Sequence, residues 1–200
     1  MTILAALKLA TADSHVRAEA ALPSIEQLGD AAVYRAVLRR FHGFYAGWEP
    51  AVWASATVER LFCGAERPRR LKLPLLARDL AALRITPMAF DAVPCPRLSG
   101  NAALGALYVM EGATLGGRVI LRQVTQRLGI GPQTGAAFFH GYGEETGALW
   151  RAFGERMNAF VAQSGGDEEI IAGARDCFAA FEGWFREPAS ARTAAAVACA

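Results

Sequence analysis

A histidine and a glutamate one helical turn apart near the amino terminus are the first residues whose types and spacing could do chemistry. His15 continues an apolar helical stripe that begins at Leu4, and Glu19 lies one turn further along the same side. A carboxylate there accepts a hydrogen bond from one imidazole nitrogen and leaves the other free to bind a metal ion. Lys8, two turns before His15, adds a cation that can meet a negative group beside it. The same pair also occurs on ordinary helix surfaces, so the spacing alone leaves both interpretations open.

The second candidate is a helical segment rich in glycine, "GALYVMEGATLGG". Gly105, Gly112 and Gly116 fall close to one line on the helix surface, with Tyr108 between them. A glycine inside a helix costs about 1 kcal/mol relative to alanine, so the bare strip must allow something to approach closely. That partner is either another helix, the commoner case, or a flat ligand. The adjacent pair Gly116 and Gly117 also permits a kink, which favours the ligand.

The two candidates fit one ligand when they are taken together. An imidazole supported by a carboxylate can hold the iron of a heme on one side. A bare, bendable helix can cover the other side and leave room only for a small molecule such as dioxygen. The residues therefore predict a planar metal complex, heme, between two helices.

Helical periodicity dominates the elements that must position these residues. Apolar stripes at helical spacing cover residues 4–22, 33–48, 73–83, 101–128, 150–160 and 170–184. The first three are expected to end near Pro23, Pro50 and Pro87, and a loop is expected over residues 86–100. No run alternates with period two. The sequence therefore predicts an all-α, single-domain fold of six or more helices over residues 1–188, followed by a flexible tail over 189–200.

Composition and charge narrow the class of protein. A formal net charge of +2 argues against nucleic acid as the main partner. No stretch of about 18 uncharged apolar residues is present, so no membrane span is expected. The amino terminus lacks the basic segment of a signal peptide. The scattered cysteines, which form no CxxC pair, indicate free thiols in a reducing cytoplasm and no zinc site: Cys63, Cys95, Cys177 and Cys199.

Four segments, in order along the chain, resemble the heme oxygenase family. "LKLATADSHVRAEAAL" is similar to the family's proximal helix, with Ala-Thr before the histidine and Ala-Glu after it. "YRAVLRRFHGFYAGWEPAV" is similar to its second helix, "LYVMEGATLGGRVI" to its distal helix, and "WRAFGERMNAF" to the segment that follows. The similarity extends over most of the chain, and it is to the bacterial branch that accompanies phytochrome photoreceptors.

The resemblance implies a heme oxygenase-like fold, with heme as both prosthetic group and substrate between the proximal and distal helices. It implies conversion of heme to biliverdin, carbon monoxide and ferrous iron with O2 and an electron donor such as a ferredoxin system or ascorbate. A bacteriophytochrome is one implied recipient of the biliverdin, and iron recovery is the other purpose that the residues leave open. We expect a cytoplasmic monomer that binds neither nucleic acid nor membrane.

The family's site residues carry over to matching positions of this chain. His15 matches the iron ligand, and Glu19 matches its hydrogen-bond partner. Glu19, Gly112 and Gly116 are thereby assigned to catalysis. The resemblance assigns contact with heme to Lys8, Tyr108, Gly112, Gly116 and Gly117.

One position departs from the family pattern. Many members carry an aspartate on the distal helix that organises water near the bound oxygen, and Ala113 stands at that position here. The route of proton delivery is therefore open. Two other functions also stay open at this point: a protein of the same fold that binds or delivers heme without cleaving it, and a helical interaction protein with a glycine-mediated helix crossing.

Overall fold

A computed structural model describes residues 1–87, 93–94 and 96–187 of the 200-residue chain. These residues contain no strand and form ten α-helices. The helices are α1 (Ile3–Ala10), α2 (Ala12–Ala20), α3 (Ala31–Trp53), α4 (Ala56–Leu61), α5 (Glu66–Arg70), α6 (Leu73–Ala82), α7 (Gly100–Leu128), α8 (Ala137–His140), α9 (Thr146–Ser164) and α10 (Asp167–Arg186). The prediction of an all-α, single-domain fold is confirmed. The predicted tail over 189–200, its boundary, and residues 88–92 and 95 of the predicted loop lie outside the described residues.

The longest helix, α7, crosses α10 at the centre of the fold. It begins after Ser99, whose side chain accepts the N–H of Ala102, and ends at Gly129 in the left-handed conformation, with φ 67°. At the crossing, a Cβ on Gly105 would lie 1.9 Å from the carbonyl oxygen of Ile170 on α10. Backbone meets backbone here, so at Gly105 the helix crossing, not a ligand, explains the glycine.

The first predicted helix is divided into two. α1 ends at Ala10 and α2 begins at Ala12, because the Thr11 hydroxyl donates to the Leu7 carbonyl at 2.8 Å and its backbone leaves the helical region. The sequence gives no strong signal for this break, since the apolar stripe continues across it. The second helix also stops at Ala20, short of the predicted end.

The third helix continues past its predicted end. α3 includes Pro50 and runs on to Trp53, and the carbonyl of Pro50 accepts the N–H of Ala54 at 2.9 Å. Val52 and Trp53 are buried in the core. Their burial compensates for the hydrogen bond that a proline cannot donate, so a proline on its own did not end the helix.

Within the described residues, α7 is the helix that is long and apolar enough to cross a membrane by length and composition. Its apolar side packs against α10, α3 and α8, and 44% of the most apolar stretch is buried inside the fold. A core helix has the same composition, so this finding is weak evidence for a span.

Candidate active site

The His15 imidazole lies open on α2. Leu7, Thr11 and Ala18, on the same stripe, are buried, but 58% of the His15 side chain is exposed. Its Nδ1 lies 3.5 Å from Glu19 Oε2. The carboxylate therefore stands beside one ring nitrogen, and Nε2 is left for another partner.

The ring of Phe178 on α10 supports the imidazole from below. The two ring centroids are 5.8 Å apart in an edge-to-face arrangement with an interplanar angle of 70°. Phe178 itself is buried. The aromatic contact restricts the orientation of His15 without using either of its nitrogens.

The glycines of α7 divide into two groups by what surrounds them. At Gly116, no neighbouring group of the described residues comes within 4 Å of the position a Cβ would take, and at Gly112 the nearest is Trp150 Cη2 at an ordinary 3.8 Å. At Gly117, in contrast, a Cβ would lie 2.8 Å from the carbonyl oxygen of Phe139 on α8. Gly112 and Gly116 are therefore open, whereas Gly117 packs against the protein. Its predicted contact with heme stays a prediction.

The helices that carry His15 and the open glycines both pack against α10 instead of mainly against each other. Six large apolar side chains are exposed in the described part of the chain, and four of them are on α1, α2 and α7. These four are Leu9, Val16, Leu115 and Val119. Two of them neighbour His15 and Gly116 directly in sequence. Exposed apolar groups on both helices are what a large apolar ligand between them would cover.

The remaining predicted contacts lie at one end of this arrangement. Tyr108 is half-buried, and its ring centroid is 5.8 Å from that of Trp150 on α9. Burial raises the pKa of the Tyr108 phenol, and a hydrogen bond with Thr11 acts in the opposite direction. The Thr11 contact brings the α1–α2 junction beside α7. Lys8 is exposed in the last turn of α1. The predicted residues thus lie on α1, α2 and α7, with Tyr108 beside the α1–α2 junction and Gly117 on the packed side of α7.

A buried polar cluster that the sequence interpretation missed lies behind the open glycines. Glu111 on α7 accepts from Arg70 Nη1 at 2.7 Å and from Lys72 Nζ at 2.8 Å, and all three side chains are 1% exposed. The Tyr142 hydroxyl donates to the same carboxylate at 2.7 Å. Burial raises the pKa of Tyr142, and the charge of Glu111 and the hydrogen bond to it add to the effect. We call these four residues the charge cluster.

A second buried carboxylate fixes the start of α6 beside the charge cluster. Glu49 accepts the backbone N–H groups of Lys72 and Leu73 at 2.6 and 2.9 Å. Burial raises the pKa of Glu49, against the opposing effect of these two hydrogen bonds. Glu49 therefore orients the backbone that carries Lys72 towards Glu111.

The sequence contained a signal for Glu111 of the charge cluster but none for its cationic partners. Glu111 shares the buried face of α7 with Leu107 and Thr114, whose hydroxyl donates to the Glu111 carbonyl at 2.6 Å. A carboxylate on an apolar helix face needs buried partners. Arg70 and Lys72 come from a stretch rich in cations, "RPRRLKL", which on its own predicts a solvent-exposed segment.

Ala113, at the position of the family's aspartate, is exposed on α7.

Comparison with known proteins agrees with this geometry. A family model described as heme oxygenase matches residues 1–187. A heme oxygenase of Xanthomonas campestris pv. campestris is 37% identical over 158 residues, which cover 76% of this chain and 88% of that protein.

Solved structures of bacterial heme oxygenases have the same arrangement of helices. The NO- and CO-bound heme oxygenase of Neisseria meningitidis matches with a TM-score of 0.80 and 26% identity, over 93% of this chain and 91% of that one. The heme oxygenase of Leptospira interrogans matches with a TM-score of 0.72 over 94% of this chain and all of that one, and at 16% identity it shows likeness of fold alone. With a family model that spans 187 residues and a curated relative at 37% identity, the chain belongs to the heme oxygenase family.

Proposed function

We propose that this heme oxygenase holds heme between α2 and α7, with His15 as the ligand to the iron. As a member of its family, the protein degrades heme with O2 and reducing equivalents, and heme is both its cofactor and its substrate. The family assignment does not favour the alternative of a heme-delivery protein without cleavage. The observation that carries the proposal is the exposed imidazole on an otherwise buried stripe, with a carboxylate 3.5 Å from its Nδ1.

The residues on both sides fit a porphyrin. Heme is broad, flat and mostly apolar, so it needs one nitrogen ligand and two apolar walls with room between them. His15 offers Nε2, while Gly112 and Gly116 leave α7 without side chains at the matching face. Val16 and Leu115, both exposed, supply apolar surface beside them. The propionates are the charged part of the ligand, and we assign them to Lys8 and Tyr108.

Each residue has a distinct part in the reaction. Glu19 lies 3.5 Å from Nδ1 of His15, where its carboxylate favours the tautomer with the proton on Nδ1 and would leave the Nε2 lone pair for the iron. Gly112 and Gly116 would let the α7 backbone lie close to the porphyrin and leave room there for a small molecule only. Positioning of this kind is worth several kcal/mol of barrier. When bound, heme supplies both the iron that activates dioxygen and the ring that is cleaved.

The partners follow from the same chemistry. The reaction consumes electrons, and we propose a ferredoxin system as the donor, with ascorbate as a substitute in the test tube. We further propose that the protein is a cytoplasmic monomer. Its biliverdin goes either to a bacteriophytochrome or, with the iron, to recovery; a pull-down with apo-phytochrome separates these two.

The test is the substitution His15→Ala in the full-length chain. The variant should bind hemin without the spectrum of a histidine ligand and should not convert it to biliverdin. Added imidazole should restore the spectrum because it replaces the missing side chain. His140→Ala, which removes another exposed histidine, is the matched control and should resemble the wild type. An unchanged spectrum and full activity in His15→Ala would exclude His15 as the ligand.

A further inference from the structure

The charge cluster buries three charged side chains in the core, although the stability of the fold does not require charges there. Arg70, Lys72 and Glu111 are each 1% exposed, and burying charges costs free energy that their mutual attraction often only repays. Apolar side chains of similar volume stabilise such positions equally well or better. The cluster therefore adds little to the stability of the fold.

One member of the charge cluster has a polar atom without a partner. Arg70 donates from Nε to Glu66 at 3.2 Å and from Nη1 to Glu111 at 2.7 Å. Its Nη2 is buried and has no hydrogen-bond partner among the described residues. Positive charge is therefore incompletely screened on this side of the cluster, where the surroundings are aromatic and the effective dielectric is low.

A layer of aromatic rings connects Arg70 to the open glycines. The guanidinium carbon lies 6.0 Å from the ring centroid of Phe153, and Phe153 stacks on Trp150 at 5.5 Å. Trp150 in turn is the nearest group to Gly112, at 3.8 Å from its Cβ position. Glu111 is also the residue directly before Gly112 in α7. The field of the cluster reaches the glycine face through packed side chains, with little bulk water to screen it.

We propose that Glu111 sets the electrostatic potential on the glycine side of the heme by balancing the charges of Arg70 and Lys72. The proposal rests on the proposed function, which puts heme over Gly112 and Gly116. Glu111 does not touch the ligand but acts through its charge. The charges of the other groups around the cluster are unchanged when Glu111 is replaced: the hydroxyls of Thr114 and Tyr142, Glu66 beside Arg70 and, on α3, Tyr45 and Glu49.

Neutralising Glu111 and neutralising Lys72 should have opposite effects. Without the carboxylate, Lys72 loses its ion-pair partner and Arg70 keeps only its ion pair with Glu66. The surroundings become more positive, so an anion on the ferric heme is bound more tightly and the ferrous state is favoured. Without the ammonium, the balance becomes more negative and both effects reverse. Across a helix about 12 Å in diameter, with an effective dielectric of about 20, one unit charge changes anion affinity about tenfold.

The experiment uses the full-length chain loaded with ferric heme and azide as the anionic probe. Glu111→Gln should bind azide about tenfold more tightly, and its midpoint potential, measured by spectroelectrochemistry, should rise. Lys72→Met should bind azide more weakly and have a lower potential. Tyr142→Phe is the matched control, since it removes the hydrogen bonds to Glu111 without changing the charge, and should stay within about twofold of the wild type.

Shifts in the same direction for Glu111→Gln and Lys72→Met would overturn the proposal. A packing defect does not depend on the sign of the charge that is removed, whereas an electrostatic effect does. Unchanged azide affinity in both would also overturn it. If Lys72→Met does not fold, the double variant Glu111→Gln/Lys72→Met must return the azide affinity of Glu111→Gln towards the wild-type value, and failure to do so counts against the proposal. A wild-type spectrum without a histidine ligand would instead refute the proposed function.

Discussion

Replacing three glycines of α7 by alanine, one at a time, should change the free energy of unfolding with different sign and size. At Gly116 the added methyl group meets no neighbouring group within 4 Å. Alanine is a better helix former than glycine by roughly 0.5–1 kcal/mol. The apo-protein with Gly116→Ala should therefore be more stable than the wild type by about that amount.

The same substitution at Gly117 and Gly105 should destabilise. At Gly117 the methyl group would lie 2.8 Å from the Phe139 carbonyl oxygen, a backbone atom, so α8 must shift by a few tenths of an ångström. Overpacking of about 1–3 kcal/mol outweighs the helix propensity and leaves a net loss of about 1 kcal/mol. At Gly105 the separation from the Ile170 oxygen is 1.9 Å. There α7 and α10 must separate, at a cost of about 3 kcal/mol or more.

The assay is urea unfolding of the three apo-proteins followed by circular dichroism. The midpoints should rank Gly116→Ala above the wild type, the wild type above Gly117→Ala, and Gly105→Ala lowest, with the same slope. Equal destabilisation by Gly116→Ala and Gly117→Ala would refute the distinction between open and packed glycines. A neutral Gly105→Ala would refute the close crossing of α7 and α10.

Two further substitutions test the stability of the fold and the rate of the reaction. The Asp79 carboxylate accepts the N–H groups of Ala137 and Phe138 at 2.7 and 2.8 Å, and burial raises the pKa of Asp79 above the ordinary 3.8. The contribution of Asp79 to the free energy of unfolding is therefore present below pH 3.8 and is lost as the pH rises through the pKa of the folded state. Asp79→Asn should cost about 1–2 kcal/mol by urea unfolding at acid pH, with the difference from wild type narrowing as the pH rises, and a widening difference would contradict this pKa direction. Ala113→Asp should change the rate of biliverdin formation modestly, in a reductant-driven absorption time course with the pigment identified by chromatography, because ordered water on the exposed backbone carries protons without that side chain. Turnover that appears only with the aspartate would contradict this.

The helices were predictable from sequence where apolar periodicity was strong, and less so where a single residue decided the outcome. The expected helix over residues 101–128 corresponds closely to α7, because its stripe is continuous and Ser99 and Gly129 mark its ends. The break at Thr11 depends on one side-chain hydrogen bond, and the passage of α3 through Pro50 depends on the burial of residues beyond it. Neither leaves a periodic signal.

The sequence indicated the histidine and the two open glycines of the candidate site but not the buried charges of the charge cluster. His15 and Gly116 were indicated by type and spacing, and the structure leaves both open. The charge cluster joins residues from the α5–α6 segment, α7 and the loop after α8, and a cation such as Lys72 looks solvent-exposed in isolation. Only the buried position of Glu111 on α7 pointed to such partners.

The helix propensity lost at the open glycines of α7 is not compensated by contacts among the described residues. Gly112, Gly116 and Gly117 together give up about 2–3 kcal/mol of helix propensity. Gly117 regains part of this through close packing against Phe139, and Gly105 does the same against α10. Gly112 and Gly116 gain no comparable contact with the described residues, since a methyl group would fit at either position. The proposed site makes use of this absence of side chains, since it would let a flat ligand bound by His15 lie against the bare backbone of α7.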